Sequence, residues 1–135
     1  MSKIQDPALL AARVLMSLIF ITSGWSKLSG YAGTQAYMEA MGVPGALLPL
    51  VILTELGGGL AILLGFQTRI AAFLLAGFCL VSGYLFHYIA AQAGGDGAMM
   101  QMINFWKNVA MGGGFVAILA AGAGVFSIDG KLGKA

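Results

Sequence analysis

Four stretches of the chain, over residues 7–28, 46–66, 70–91 and 104–126, carry almost only apolar side chains and are separated by segments rich in Gly, Pro and polar residues. Each has about the 20 residues that a helix rising ~1.5 Å per residue needs to cross a ~30 Å hydrocarbon layer. The runs are continuous rather than alternating, so they predict helices and not barrel strands; a helix also satisfies its own backbone hydrogen bonds, as lipid demands. The expected fold is all-α, a single transmembrane domain over 1–135 arranged as a four-helix up-down-up-down bundle. The connection at 67–69 is so short that the second and third runs must be antiparallel neighbours. The segment 29–45, SGYAGTQAYMEAMGVPG, holds a helical pattern over 34–41, with Tyr37, Met38 and Met41 on one side and Gln35 and Glu39 on others. Gly42 and Pro44 stop it, so it reads as an interfacial half-helix or as an ordered linker. AGGDGA at 93–98 reads as a flexible turn, and Met99, Met100, Met102 and Ile103 as an apolar ramp into the fourth run.

Composition agrees with a membrane setting. The 135 residues are 59% hydrophobic and 9% charged, with a mean hydropathy of +0.91, too few polar side chains to cover a water-soluble surface. Lys3 ahead of the first run suggests a secretion signal, but Arg13 within that run, its length, the lack of a small-x-small site and the three runs that follow argue against one. The net charge of +2 is scattered, which gives no case for nucleic acid. One cysteine, Cys79, excludes an intrachain disulfide or a C-x-x-C pair, and one histidine, His87, leaves no set for structural zinc or bis-histidine haem. No metal and no intrinsic cofactor is therefore expected. Lys3, Arg13, Arg69, Lys131 and Lys134 gather at one end of the predicted bundle and only Lys27 and Lys107 at the other, so both termini are expected in the cytoplasm.

The few ionisable groups inside the runs are the candidate chemistry. Glu55 sits in VILTELGGGLAIL, roughly 13 Å below the outer end of its helix by helical rise. Lys27, His87, Lys107 and Asn108 lie nearer that same outer end on the other three helices. An ionised group at mid-bilayer costs on the order of 2.5–3.5 kcal/mol, so these side chains should turn inward and pair. Arg13, Ser17, Phe20, Gly24 and Lys27 recur at helical spacing along one stripe, and Glu55, Gly58, Gly59 and Ile62 along another. The expectation is a polar pocket in which Lys27 or Lys107 holds Glu55 and His87 or Asn108 completes its hydrogen bonds. Arg13, Gly24, Trp25, Gly58, Gly59 and Tyr84 would support it. Burial and neighbouring cations act on the protonation of Glu55 in opposite senses. A blander account is also open: a buried ion pair that only fixes helix register, Lys27 reaching to head groups, and an ordinary aromatic belt of Trp25, Tyr31, Tyr84, Tyr88 and Trp106. Together those aromatics would instead wall a site for a planar ring. ELGGGLAILLG from Glu55 and AMGGGFVAILAAG from Ala110 echo one another, as do SGW at Ser23 and SGY at Ser82; they read either as a two-helix internal repeat or as chance between Gly-rich helices.

Arg13, then Gly24-Trp25-Ser26-Lys27-Leu28, Tyr37, Gly42 and Pro44, Glu55 with Gly58 and Gly59, Gly65, Thr68-Arg69 and His87 resemble, in this order and spacing, the DoxX family of small four-span membrane proteins. The resemblance runs through most of the chain, with the glycine-rich fourth run carrying least of it. It implies an integral protein of the bacterial cytoplasmic membrane, with relatives associated with thiosulfate:quinone oxidoreductase, with membrane complexes for thiol or oxidative stress, and with quinone or catechol detoxification. It transfers no catalytic residue. The leading expectation is a redox-associated accessory protein that binds a quinone, phenol or small oxyanion in the outer-half pocket and works with a partner redox subunit. No motif of its own supplies electrons. A proton-coupled exporter that uses Glu55 as a homo-oligomer, and a structural membrane scaffold, are the alternatives.

Overall fold

The computed structural model describes residues 3–135, and every regular element in them is helical. These are α1 (Gln5–Ser29), α2 (Tyr31–Ala40), α3 (Gly45–Leu64), α4 (Thr68–Gln92), α5 (Ala98–Ala121) and α6 (Ile128–Lys131). By length and composition α1, α3 and α4 can each cross a membrane. At 24 residues α5 has the length, but Gln101, Asn104, Lys107 and Asn108 make its first half polar. It starts at Ala98 rather than 104 because the Met-rich ramp is itself helical, and it stops at Ala121 because Gly122 and Gly124 take positive φ, 82° and 78°. The half-helix expected over 34–41 is the longer α2.

Helix pairing can be read from the contacts. Arg13 meets Leu63, Gly24 meets Leu56 and Lys27 meets Glu55, so α1 and α3 run in opposite directions. Arg69 meets Ala120, Asn108 meets Cys79 and Gln101 meets His87, which sets α5 against α4 in the same way. The α1–α3 approach depends on glycine: a Cβ on Gly24 would lie 2.8 Å from the Leu56 backbone nitrogen, and one on Gly59 would lie 2.9 Å from the Ile21 side chain. Gly58 faces Leu75 of α4 instead. The main core joins Phe20, Ile62, Leu75, Cys79, Phe115 and Ile118, with Phe20 edge-on to Phe115 at 5.3 Å. A smaller cluster of Met38, Leu48 and Ile52 seats α2 on α3. Leu15, Leu53, Ile70 and Phe73 point outward, each at least 60% exposed, an apolar surface suited to acyl chains rather than to water.

Residues after α5 turn back across the α3–α4 turn. That turn ends α3 on Gly65 at φ 67°, with Phe66 N donating to Ala61 O at 2.9 Å, and then forces Gln67 to φ 48°. Asp129 clamps it: the carboxylate accepts from Gln67 N at 3.0 Å and Thr68 N at 2.9 Å, while Asp129 N donates to Gly65 O at 2.8 Å. The carboxylate thus sits at the start of α4, where free N–H groups favour negative charge. Ser127 caps α6 by accepting from Gly130 N at 2.9 Å. Arg13, fully buried, donates from Nη1 to Leu63 O at 3.5 Å and from Nη2 to Phe126 O, tying α1 to both α3 and the returning segment. Arg69 donates to Ala120 O at 2.8 Å and closes the C-terminal end of α5.

Burial pushes the Asp129 carboxyl up, but the amides of Thr68 and Gln67, with Lys134 nearby, outweigh it and hold the group below the ordinary carboxylate range. Because the folded value lies under the unfolded one, the clamp stabilises the fold above about pH 4 and loses that contribution as pH falls through the folded value. Asp129→Asn is therefore expected to lower the unfolding temperature near neutral pH and to flatten the acid limb of a scan from about pH 6 to 3. Parallel wild-type and variant curves across that range would show that the clamp carries no charge-dependent stability.

Candidate functional site

A cavity of about 330 Å³ lies between α1, α3, α4 and α5 and is roofed by Thr34, Tyr37 and Met38 of α2. Two departures from α geometry frame it. Leu53–Gly57 and Gly83–Tyr88 each form a π turn, and these turns carry Glu55 and His87. A π turn fits an extra residue into the helical ladder and re-aims the side chains beside it, a device common at functional sites. Glu55 is 3% exposed, and Lys27 Nζ donates to its Oε1 at 2.8 Å and its Oε2 at 3.0 Å. The Lys27 side chain keeps 29% of its surface open, so the pair has one sealed end and one accessible end.

His87 Nδ1 is 2.7 Å from Gln101 Oε1. An amide oxygen only accepts, so Nδ1 carries the hydrogen of this contact. Asn108 Nδ2 donates to Cys79 O at 3.1 Å and to Ser82 Oγ at 3.3 Å, fixing the amide with its Oδ1 left over. Ser82 Oγ in turn donates to Phe78 O at 2.6 Å. Phe20, Tyr37, Phe78 and Phe86 supply aromatic wall, and Tyr37 stacks on Phe86 at 5.8 Å. The cavity thus offers flat apolar walls, an ion pair and a polar edge, and it suits a small ring that carries hydrogen-bonding groups.

Of the five residues expected at the pocket, Lys27, Glu55, His87 and Asn108 line this cavity. Lys107 does not: one position before Asn108, it is turned about 100° around α5 and is exposed. The pairing is also simpler than expected. Lys27 alone holds Glu55, while His87 and Asn108 bond to Gln101, Cys79 and Ser82. Gly24, Gly58 and Gly59 lie in helix contacts, and Arg13 anchors the opposite end of α1. Trp25, 63% exposed, and Tyr84, 51% exposed, face outward. Tyr84, Tyr88, Phe105 and Trp106 form a ladder of rings 5.1–5.5 Å apart on α4 and α5 rather than the cavity wall. Sequence reasoning missed Gln101, Ser82 and Cys79 as parts of the site. Cys79 and Ser82 precede His87 by eight and five positions in one helix; α-helical spacing puts the first on the same face as His87 and the second about 140° away, so the pattern does not mark Ser82.

Residues 8–88, which run from the first turn of α1 to one residue beyond His87, match the DoxX family. The inner membrane protein YqjF of Escherichia coli K12 is 53% identical over 134 residues, covering 99% of this chain and 98% of its own. The inner membrane protein YphA of the same organism is 37% identical over 90% of this chain and 87% of its own. The putative oxidoreductase CatD of Bacillus subtilis strain 168 is 33% identical over 76 residues, 56% of this chain and 57% of its own. No solved structure matches the chain. With a family match over more than half its length, full-length likeness to an inner membrane protein and three helices fit to span a bilayer, this chain is a membrane protein of the DoxX family.

Proposed function

We propose that the protein is a redox-associated accessory protein of the bacterial inner membrane that binds a quinone, phenol or small oxyanion in the α1–α5 cavity and acts with a partner redox subunit. The observation that carries this reading is the ion-paired, nearly sealed Glu55 on the wall of an aromatic cavity. Ionisable groups inside a membrane helix are costly and mark ligand or proton sites. In this reading α1, α3, α4 and α5 all span the bilayer, up-down-up-down, as the opposed α1–α3 and α4–α5 contacts support. Lys3, Arg69, Lys131 and Lys134 then lie at the cytoplasmic face with both termini. Lys27 stabilises developing negative charge on a ring oxygen, and Glu55 passes the coupled proton. The electrons come from the partner. The name of CatD, a putative oxidoreductase, supports a redox setting. An exporter would need Glu55 to bind a cation, and Lys27 already occupies both of its oxygens.

Titration of purified protein with a short-chain benzoquinone is the test, read by thermal unfolding and tryptophan fluorescence. A saturable shift is expected. In native membranes, Glu55→Gln is expected to abolish quinone-linked turnover of the copurified complex while the chain still assembles. No saturable shift, together with normal turnover in the variant, would remove the reading.

A further inference from the structure

We infer that the Lys27–Glu55 pair is a charge filter: it makes the cavity select an uncharged aromatic ring bearing a hydroxyl group and reject aromatic anions and cations of the same size. This rests on the cavity being a ligand site, as proposed above, and narrows what the site accepts: it favours the phenol and the hydroxyl-bearing reduced form of a quinone over the quinone itself, and disfavours the oxyanion. Among the described residues, Lys27 and Glu55 are the one ammonium and the one carboxylate on the cavity wall, and both carboxylate oxygens lie within 3.0 Å of the ammonium. Their charges cancel where a ligand would meet them.

An incoming anion must draw Lys27 from Glu55, and an incoming cation must draw Glu55 from Lys27. The anion would strand Glu55, which is 3% exposed, and the cation would have to replace an ammonium that already meets both carboxylate oxygens at 2.8 and 3.0 Å, so neither ion gains what it gives up in hydration. A neutral ring leaves the pair closed and packs against Phe20, Tyr37, Phe78 and Phe86. The polar edge points the same way. With Nδ2 spent on Cys79 O and Ser82 Oγ, Asn108 offers Oδ1, an acceptor, which fits a ligand that donates. At about 330 Å³ the cavity is near the lower end of the ~300–1,000 Å³ range of ligand pockets, a size for one or two rings.

A matched series separates charge from shape: benzyl alcohol, benzoate and benzylammonium, measured by equilibrium dialysis against the full chain in nanodiscs of zwitterionic lipid, with partition into empty nanodiscs subtracted. The wild type is expected to hold benzyl alcohol at least about tenfold more tightly than either ion. Glu55→Gln, which frees the ammonium, should bring benzoate up to or past the alcohol. Lys27→Gln, which frees the carboxylate, should do so for benzylammonium. The double variant Lys27→Gln/Glu55→Gln, again without net charge, should restore preference for the alcohol. Equal or tighter binding of an ion by the wild type, or a ranking that the single variants leave unchanged, overturns the filter while leaving the cavity as a ligand site. If none of the three binds the wild type, the cavity reading and the filter fall together. The wild-type ranking decides the question even where a variant fails to fold.

Discussion

Arg13→Ala is expected to destabilise the folded chain by at least about 3 kcal/mol, read as the shift in reversible unfolding when mixed micelles are titrated with sodium dodecyl sulfate. Two losses add. The guanidinium is fully buried and bonds to the carbonyls of Leu63 and Phe126, so truncation orphans two acceptors inside the protein. It also leaves a void where a long side chain had filled the space between α1, α3 and the returning C-terminal segment. Arg13→Lys should recover little, because a single ammonium lacks the planar fork that serves two carbonyls on separate elements. Arg69 is the control: it too bonds to carbonyls, but it is exposed, and Arg69→Ala should cost less than about 1 kcal/mol. Limited proteolysis should show the residues after α5 released in Arg13→Ala and protected in Arg69→Ala. Equal behaviour of the two variants would mean that Arg13 is not the link between those elements.

The second large effect is an asymmetry within the ion pair. Lys27→Met strands a carboxylate that is 3% exposed, and removing one partner of a buried pair costs about 3–5 kcal/mol. Glu55→Gln strands an ammonium whose side chain already has 29% of its surface open, and a flexible lysine can lift its charge toward head groups. The glutamine variant should therefore lose distinctly less stability than the methionine one. Lys27→Met/Glu55→Leu, which leaves no charge behind, should regain most of the loss, and a double-mutant cycle in micelles measures the coupling. Were the two single variants equally mild, the carboxylate would have to be reaching water, and the picture of a sealed acid would be wrong.

Parts of this site were legible before any coordinates because periodicity carries direction. Four-and-three spacing put Arg13, Gly24 and Lys27 on one stripe of α1, and the same rule set Glu55 beside Gly58 and Gly59, which made Lys27 one of two candidate partners for the acid, with Lys107 the other. Lys107 shows where that reasoning fails. It sits beside Asn108 in sequence at a suitable depth, but a one-residue step turns it to the outside, and depth alone does not choose a face. The aromatic wall failed for a related reason. Tyr84, Tyr88 and Trp106 drew notice as amphipathic rings at an interface, whereas Phe20, Phe78 and Phe86, which line the cavity, look like any other hydrocarbon in an apolar run. The Asp129 clamp joins residues 61 positions apart and left no local trace. The π turns were equally hidden: LTELG and GYLFHY have no composition that asks for one, and only packing against neighbouring helices selects it.

Those two wider turns make chain length, and not only side-chain type, a constraint on the protein. Losing one residue from Leu53–Gly57 would let the backbone relax into unbroken α-helix, because the π turn is where an extra residue is taken up; the flanking parts of α3 keep their register, and what changes is the aim of Glu55. Gly59 would then still meet Ile21 of α1, while the acid, its own turn rewound, would lose its line to Lys27. A one-codon deletion here would therefore cost the ion pair rather than the helix packing, whereas the same deletion elsewhere in α3 would swing everything beyond it by about 100°.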